Sequence, residues 1–165
     1  SGSDPLNLYL RERVTQDIRR RVTACFDALS RDGRVAGYYT LASTSILLGD
    51  LPEKYMKKLP RYPSVPAVRM GRLAVDETFK GQGLGGALLA DALTRAVRSD
   101  IAAYALVVDA KDAVAVNFYR YHGFLELASE PLTLFLPLAT ALRLSTTGAG
   151  LAAAVIEERE HDALP

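Results

Sequence analysis

The hydrophobic positions change their period several times along the chain, and each change marks an element. Leu6, Leu10, Val14 and Ile18 recur every four residues, which is one face of an α-helix. Asp4 and Pro5 ahead of them suit the N-cap and the first helical position. The helix predicted there carries Arg11, Arg13, Arg19, Arg20 and Arg21 on its other face. Residues 22–29 and 35–46 read as two strands. Between them Arg31-Asp32-Gly33-Arg34 forms a hairpin turn in which Gly33 supplies the positive φ. A short basic helix is expected over residues 52–59, with Lys54, Lys57 and Lys58. Pro60, Pro63 and Pro66 then make an extended connector.

The middle of the chain is the most informative part. An apolar run ending in Leu73-Ala74-Val75 reads as a buried strand, and Gly81, Gly83, Gly85 and Gly86 follow it closely. Leu84, Leu88, Leu89, Ala92, Leu93, Ala96 and Val97 then keep one face apolar throughout a predicted helix. Strand, glycine loop and helix together make an anion cradle. Glycines allow φ > 0 and close approach of N–H groups, and the helix start offers unpaired N–H groups and positive potential. The loop is no GxxxxGK[ST] phosphate loop, because Gly86 is followed by Ala87. It is not read as a GxGxxG dinucleotide loop either, since Gly81 and Gly83 reach Gly86 only with the extra Gly85 and no clear βαβ unit with a ribose acid follows. A diphosphate fits such a cradle; a glycine-rich turn that holds nothing is the other reading.

Residues 103–109 form a continuous apolar run, as expected of a strand buried on both faces. Asp112 is a suitable N-cap for a helix through Tyr121, and Gly123 a suitable residue to end it. Residues 124–127 and 132–136 are short strand candidates. Gly148 and Gly150 break the chain before an Ala- and Glu-rich amphipathic stretch, residues 151–161, expected to be helical.

Composition adds bounds. The chain has 165 residues, 49% hydrophobic and 24% charged, which is ordinary for one globular domain with a core of its own. No run of eighteen apolar residues and no basic-then-apolar leader occurs, so a cytoplasmic protein is the default expectation. Ser1-Gly2-Ser3 reads as an expression scar and is set aside. The net charge of +1 hides an asymmetry. Residues 1–72 hold 13 Lys/Arg against 7 Asp/Glu, a balance of +6, and residues 73–165 hold 7 against 12, a balance of −5. A polyanionic partner or a plain solvated surface both agree with that split. The lone Cys25 reads as a small core residue. With one Cys and two His there is no metal-site spacing, and no Ser/His/Asp set can be placed.

Leu-Ala-Val-Asp followed by Lys80-Gly81-Gln82-Gly83-Leu84-Gly85 resembles the pyrophosphate loop of the GCN5-related N-acetyltransferases, an Arg/Gln-x-x-Gly-x-Gly/Ala pattern. Lys80 replaces its first residue, keeping the charge but not the planar fork. A second match is Asp112-Ala113-Val114-Ala115-Val116-Asn117-Phe118-Tyr119-Arg120-Tyr121-His122-Gly123-Phe124, which resembles the family's N-x-x-A-x-x-F-Y-x-x-x-G-F segment. The resemblance implies an α/β fold, a mixed, splayed sheet flanked by helices. It implies acetyl-CoA as co-substrate, held by Leu73, Ala74, Val75, Lys80, Gly81, Gln82, Gly83, Leu84, Gly85, Gly86, Asp112 and Phe118. Residues 106–109 would form the opposing wall, and Tyr119 would be the acid that protonates the leaving thiolate. A phenol of ordinary pKa about 10 is protonated at neutral pH and suits that task. The acetyltransferase domain is expected over residues 1–142, with a helical tail over 143–165. The family's usual first strand has no counterpart ahead of Asp4, which implies a truncated N-terminus.

Further residues narrow the likeness. Tyr9-Leu10, Gln16-Asp17 and Arg19-Arg20-Arg21 are followed by Gly37-Tyr38-Tyr39-Thr40-Leu41, Leu59-Pro60-Arg61-Tyr62-Pro63 with Pro66, Gly71-Arg72-Leu73-Ala74-Val75-Asp76 and Leu134-Phe135-Leu136-Pro137-Leu138. Together they resemble the acetyltransferase toxins of bacterial toxin–antitoxin pairs. That likeness implies acetylation of the α-amino group of aminoacyl-tRNA, a homodimer, and a ribbon-helix-helix antitoxin. Arg19, Arg20, Arg21, Lys57, Lys58, Arg69 and Arg72 are the candidate tRNA contacts, whose binding should weaken as salt rises. No general base is visible, and an α-amino group of low pKa needs none, whereas a lysine near 10.4 does. A housekeeping acetyltransferase acting on a small amine or protein N-terminus, and a non-catalytic binding module, are the competing readings.

Overall fold

In a computed structural model, residues 4–144 and 155–160 are described. The elements run α1 (Asp4–Arg19), β1 (Ala24–Leu29), β2 (Val35–Leu47), α2 (Glu53–Met56), β3 (Ser64–Val75), α3 (Leu84–Arg98), β4 (Ala105–Asp109), α4 (Ala113–Tyr121), β5 (Leu125–Leu127), β6 (Glu130–Pro137), α5 (Leu138–Leu144) and β7 (Val155–Glu158). The chain divides into two compact units, one of residues 1–42, 71–92 and 148–165, the other of residues 43–70 and 93–147. Both β2 and β3 contribute residues to each unit.

The first unit contains the order β3-β2-β1-β7. β1 pairs antiparallel with β2 from Ala24↔Leu41 to Leu29↔Val35, around a turn where Gly33 has φ 79°. Its core includes Cys25, Ala28, Ala36, Leu88, Leu89 and Ala92, with Phe26 stacked on Tyr39 at 5.1 Å between ring centroids. Tyr39 is fully buried and keeps its hydroxyl satisfied by donating to Asp91 of α3, as a buried phenol requires. Gly37 admits the closest approach: a Cβ there would meet the carbonyl oxygen of Ala74 at 2.7 Å and Leu88 at 3.0 Å.

On the other edge of β1 lies β7, antiparallel from Phe26↔Glu158 to Leu29↔Val155. A helix was the expectation over residues 151–161; Val155–Glu158 is instead a strand. Tertiary partners override local propensity here. Asp27 is buried on β1 and accepts from Arg159 through Nε at 2.7 Å and through Nη2. The Arg159 N–H donates to the Cys25 carbonyl at 2.7 Å. A buried carboxylate without that guanidinium would be costly. Residues 145–154 and 161–165, and Ser1-Gly2-Ser3, for which an expression scar is the expectation, lie outside the described residues.

In the second unit the order is β5-β6-β4-β3. β3 and β4 are parallel, Ala67↔Ala105 to Met70↔Val108, whereas β4–β6 and β5–β6 are antiparallel. Ala105 through Val108 are all buried, as the uninterrupted apolar run predicts. Ile46, Leu51, Val65, Ala67, Val107 and Phe135 form its core, with Tyr55 edge-on to Phe135 at 5.6 Å. Three expectations need correction. The basic helix is only Glu53–Met56, because Pro60 and the turns from Lys57 onward end it early. The strand begins at Ser64, within the predicted connector, and its last residues Leu73, Ala74 and Val75 are half-buried rather than buried, beyond the Ala67–Met70 register with β4. Leu138–Leu144 is an unforeseen helix.

Burial pushes the Cys25 thiol up to about 12, with the neighbouring Asp27 charge adding to it against the opposing effect of Arg159. Thiolate is the reactive form, so Cys25 in the native protein should resist alkylation in mildly alkaline buffer and react stoichiometrically once urea unfolds the chain; fast native labelling would contradict this burial. Gly37→Ala should lower stability by about 1–3 kcal/mol through overpacking, read as a lower urea midpoint.

Candidate active site

The glycine loop belongs to the first unit. β3 ends at Val75, and Asp76 opens a single 3-10 turn, Glu77–Phe79, its carboxylate accepting from Thr78 N at 3.0 Å. The Asp76 N–H donates to the Ala36 carbonyl at 2.8 Å, so the turn is tied back to β2. Arg34 holds its outer side, donating to Thr78 Oγ1 at 3.2 Å with its guanidinium over the Phe79 ring. Lys80, Gly81, Gln82 and Gly83 then stand exposed. Gly81 has φ 81° and Gly83 φ 76°, conformations that glycine adopts without penalty. α3 starts at Leu84, and its first bond within the helix runs from Ala87 N to Gly83 O. The N–H groups of Leu84, Gly85 and Gly86 therefore have no acceptor inside the helix, and they face the same end as the positive dipole. The loop suits a diphosphate in all these respects.

Tyr119 belongs to the second unit and sits on α4. Asp112 caps that helix, its carboxylate accepting from Ala115 N at 2.9 Å. That cap is the task the structure gives Asp112. At the other end, Gly123 N donates to Arg120 O at 3.0 Å and Phe124 N to Tyr119 O at 3.1 Å, with Gly123 at φ 91°. This is a Schellman ending, and its usual apolar contact, between the residue after the glycine and the one five before, is here Phe124 on Tyr119 at 5.5 Å. Phe118 packs on the other side at 5.2 Å. Thus Tyr119 is fixed by backbone and ring together, and only 6% of it is exposed. Burial, with the Asp109 charge adding, pushes its phenol up to about 12. His122 caps the helix through its backbone N–H, and its ring meets Phe118 edge-on at 4.7 Å between centroids. Burial pushes its imidazole down.

The basic candidates divide. Arg19, Arg20 and Arg21 are exposed at the end of α1, and Arg21 has φ 60°. It stands where glycine is usual, since Arg21 N bonds Ile18 O at 3.0 Å and Val22 N bonds Asp17 O at 3.1 Å. Arg72 is exposed, and its N–H donates to Thr40 Oγ1 at 3.1 Å. Lys58 is exposed, while Lys57 pairs with Glu53 at 3.3 Å. Arg69 is committed differently: it forms an ion pair with Asp109 at the end of β4. Asp109 was missed as a side chain by sequence reasoning. Its signal was available as the first charge after four buried apolar residues. Among the described residues no helix is long and apolar enough to cross a membrane, and no cluster of His, Cys, Asp and Glu could hold a metal ion.

Comparison with known proteins identifies the family. The profile of the Acetyltransferase (GNAT) family matches residues 3–124. A tRNA-acetylating toxin of Mycobacterium tuberculosis (strain ATCC 25618 / H37Rv) is 37% identical over 143 residues, 86% of this chain and 84% of the relative. The structure of the toxin AtaT complexed with acetyl-methionyl-tRNAfMet superposes with a TM-score of 0.78 at 30% identity, covering 87% of both chains. A tyrosine-to-phenylalanine mutant of AtaT, bound to the C-terminus of its antitoxin AtaR and acetyl-CoA, is similar with a TM-score of 0.70 at 28% identity, over 88% of this chain and 86% of that one. With likeness this broad on both sides, the chain belongs to the acetyltransferase (GNAT) family, on the branch of the tRNA-acetylating toxins.

Proposed function

We propose that this protein transfers the acetyl group of acetyl-CoA to the α-amino group of an aminoacyl-tRNA, which removes that tRNA from peptide synthesis. The observation that carries the reading is the buried phenol of Tyr119, locked at the end of α4 by Gly123 and Phe124. In acyl transfer it suits the part of the acid: it stays protonated at neutral pH and can give a proton to the departing sulfur. The loop from Lys80 to Gly86 would hold the diphosphate of the co-substrate, with Leu73, Ala74 and Val75 lending backbone groups to its arm. The amine nitrogen attacks the thioester carbon, the carbon–sulfur bond breaks, and the phenolic proton passes to sulfur. Nitrogen loses a proton and restores the phenol.

The acceptor is argued from charge and from the relatives. Exposed Arg19, Arg20, Arg21, Lys58 and Arg72 can meet tRNA phosphates, and the similar AtaT was solved with acetyl-methionyl-tRNAfMet. A substrate of that kind places the reaction in the cytoplasm. A ribbon-helix-helix antitoxin that neutralises the enzyme, and a homodimer, complete the proposal.

Purified protein with acetyl-CoA and charged tRNA should yield N-acetyl-aminoacyl-tRNA by mass spectrometry, and Tyr119→Phe should lower kcat by roughly a hundredfold or more. Failure to modify any charged isoacceptor would refute the reading. Initial rates should show no falling alkaline limb up to pH about 9.5, where an ordinary tyrosine of pKa about 10 begins to ionise. The sign follows from the raised phenol: the protonated form is kept until well above that range.

Arg21 offers a second check, because a left-handed arginine costs roughly 1–2 kcal/mol and such strain persists where a side chain is needed. Arg21→Gly should raise the urea midpoint while weakening aminoacyl-tRNA binding and reducing the salt slope by about one.

A further inference from the structure

The proposed acid leaves one carboxylate without a task. β4 is buried from Ala105 through Val108, and Asp109 then places a side chain 42% exposed at the C-terminal end of the strand. Both neighbouring strands hold it. Arg69 of β3 pairs with Oδ2, and Thr133, directly opposite in the β4–β6 register, has its hydroxyl 3.1 Å from Oδ1. The same hydroxyl lies 2.9 Å from Oε2 of Glu130, and with one proton it can donate to only one of them at a time. Two carboxylates thus share one hydroxyl proton, and against their two charges stands the one guanidinium of Arg69, on Asp109, which leaves a net negative charge at the strand end. Lys111 and Asp112 follow on the next turn, Asp112 being engaged in capping α4. On the α4 side Tyr119 is close enough for the Asp109 charge to oppose ionisation of its phenol.

An aminoacyl ester brings the matching cation. Its α-amino group titrates near about 7.7 or below, so at neutral pH a share of it arrives as ammonium, and nitrogen cannot attack until a proton has left. We propose that Asp109 receives this ammonium group and removes its first proton, with Arg69 as the positioning residue that aims the carboxylate. This rests on the acceptor reading above. The balance closes as follows. Nitrogen gives one proton to Asp109, which later releases it to solvent, and its freed lone pair forms the bond to the acetyl carbon. The carbon–sulfur pair goes to sulfur, which takes the phenolic proton of Tyr119. The second nitrogen proton returns to the tyrosinate. One ammonium and one thioester give one amide, one thiol and one proton.

The test compares wild type, Asp109→Asn and Asp109→Glu across a pH series, with charged tRNA and, separately, an amino-acid methyl ester as acceptor. Asp109→Asn keeps an oxygen for Thr133 but removes the charge. At pH 7 its kcat/KM should fall by up to roughly sixfold, the inverse of the free-amine share of a group titrating near about 7.7; the deficit should grow to roughly fiftyfold at pH 6 and vanish as pH rises through the amine pKa, since the free amine then arrives unaided. Asp109→Glu should recover part of the rate. Acetyl-CoA affinity by calorimetry should be the same in all three, which confirms folding. A deficit constant across pH, an unchanged Asp109→Asn profile, or a loss confined to the KM of acetyl-CoA would overturn the assignment. If wild type acetylates the methyl ester but no charged tRNA, the acceptor reading fails while the pH comparison on the ester still decides the role of Asp109.

Discussion

The burial of β4 on both faces is the constraint on which the second unit depends. Ala105, Leu106, Val107 and Val108 are enclosed by β3 on one edge and β6 on the other. No charged side chain can enter that interval without stranding its charge in the core. The first polar position is therefore the strand end, and the residues proposed for the chemistry in this unit follow from it in sequence: Asp109 itself, then Tyr119 on α4, the helix that Asp112 caps. In open α/β sheets the carboxyl ends of parallel strands are the usual place for ligands, and here the reason is visible residue by residue.

Tyr119 illustrates how folding signals and chemistry can be the same residues. The glycine and phenylalanine that stop α4 also hold the tyrosine, because the backbone bond from Phe124 and the ring contact from Phe124 converge on Tyr119. A helix end that frayed would release the phenol into water and return it toward ordinary acidity. Helix termination is thus a precondition of the proposed acid, not a neighbouring detail.

Much of this was legible in the sequence, and the failures have physical causes. The α3 face, the β1–β2 hairpin at Gly33, the Asp112 cap and the Gly123 ending are all local patterns, each written within a few residues. β7 was misread because an Ala- and Glu-rich stretch favours helix locally, whereas its structure is decided by Asp27 and Cys25, more than a hundred positions earlier. The apolar run entering Leu138 looks alike whether it continues as strand or turns into helix, so α5 went unseen. For the candidate site, the glycine loop and Tyr119 were found by motif. Asp109 was read only as the end of a wall, since its importance comes from Arg69 and Thr133 on other strands. The candidate tRNA contact at Arg69 changed meaning for the same reason.

The pairing of Asp27 with Arg159 has one more consequence, for the order of assembly. The first unit is drawn from three separated stretches of chain, and the two partners of its edge stand 132 positions apart. Long-range closure of this sort is entropically slow. While the chain is being synthesised, β1 has its acid on an open edge with no partner guanidinium until Arg159, 132 positions later, has been made. The unit that contains the glycine loop therefore lacks its closing strand until Val155–Glu158 has been made, long after the loop itself, so an enzyme proposed to act on the translation machinery would depend on continued translation to complete this part of its fold.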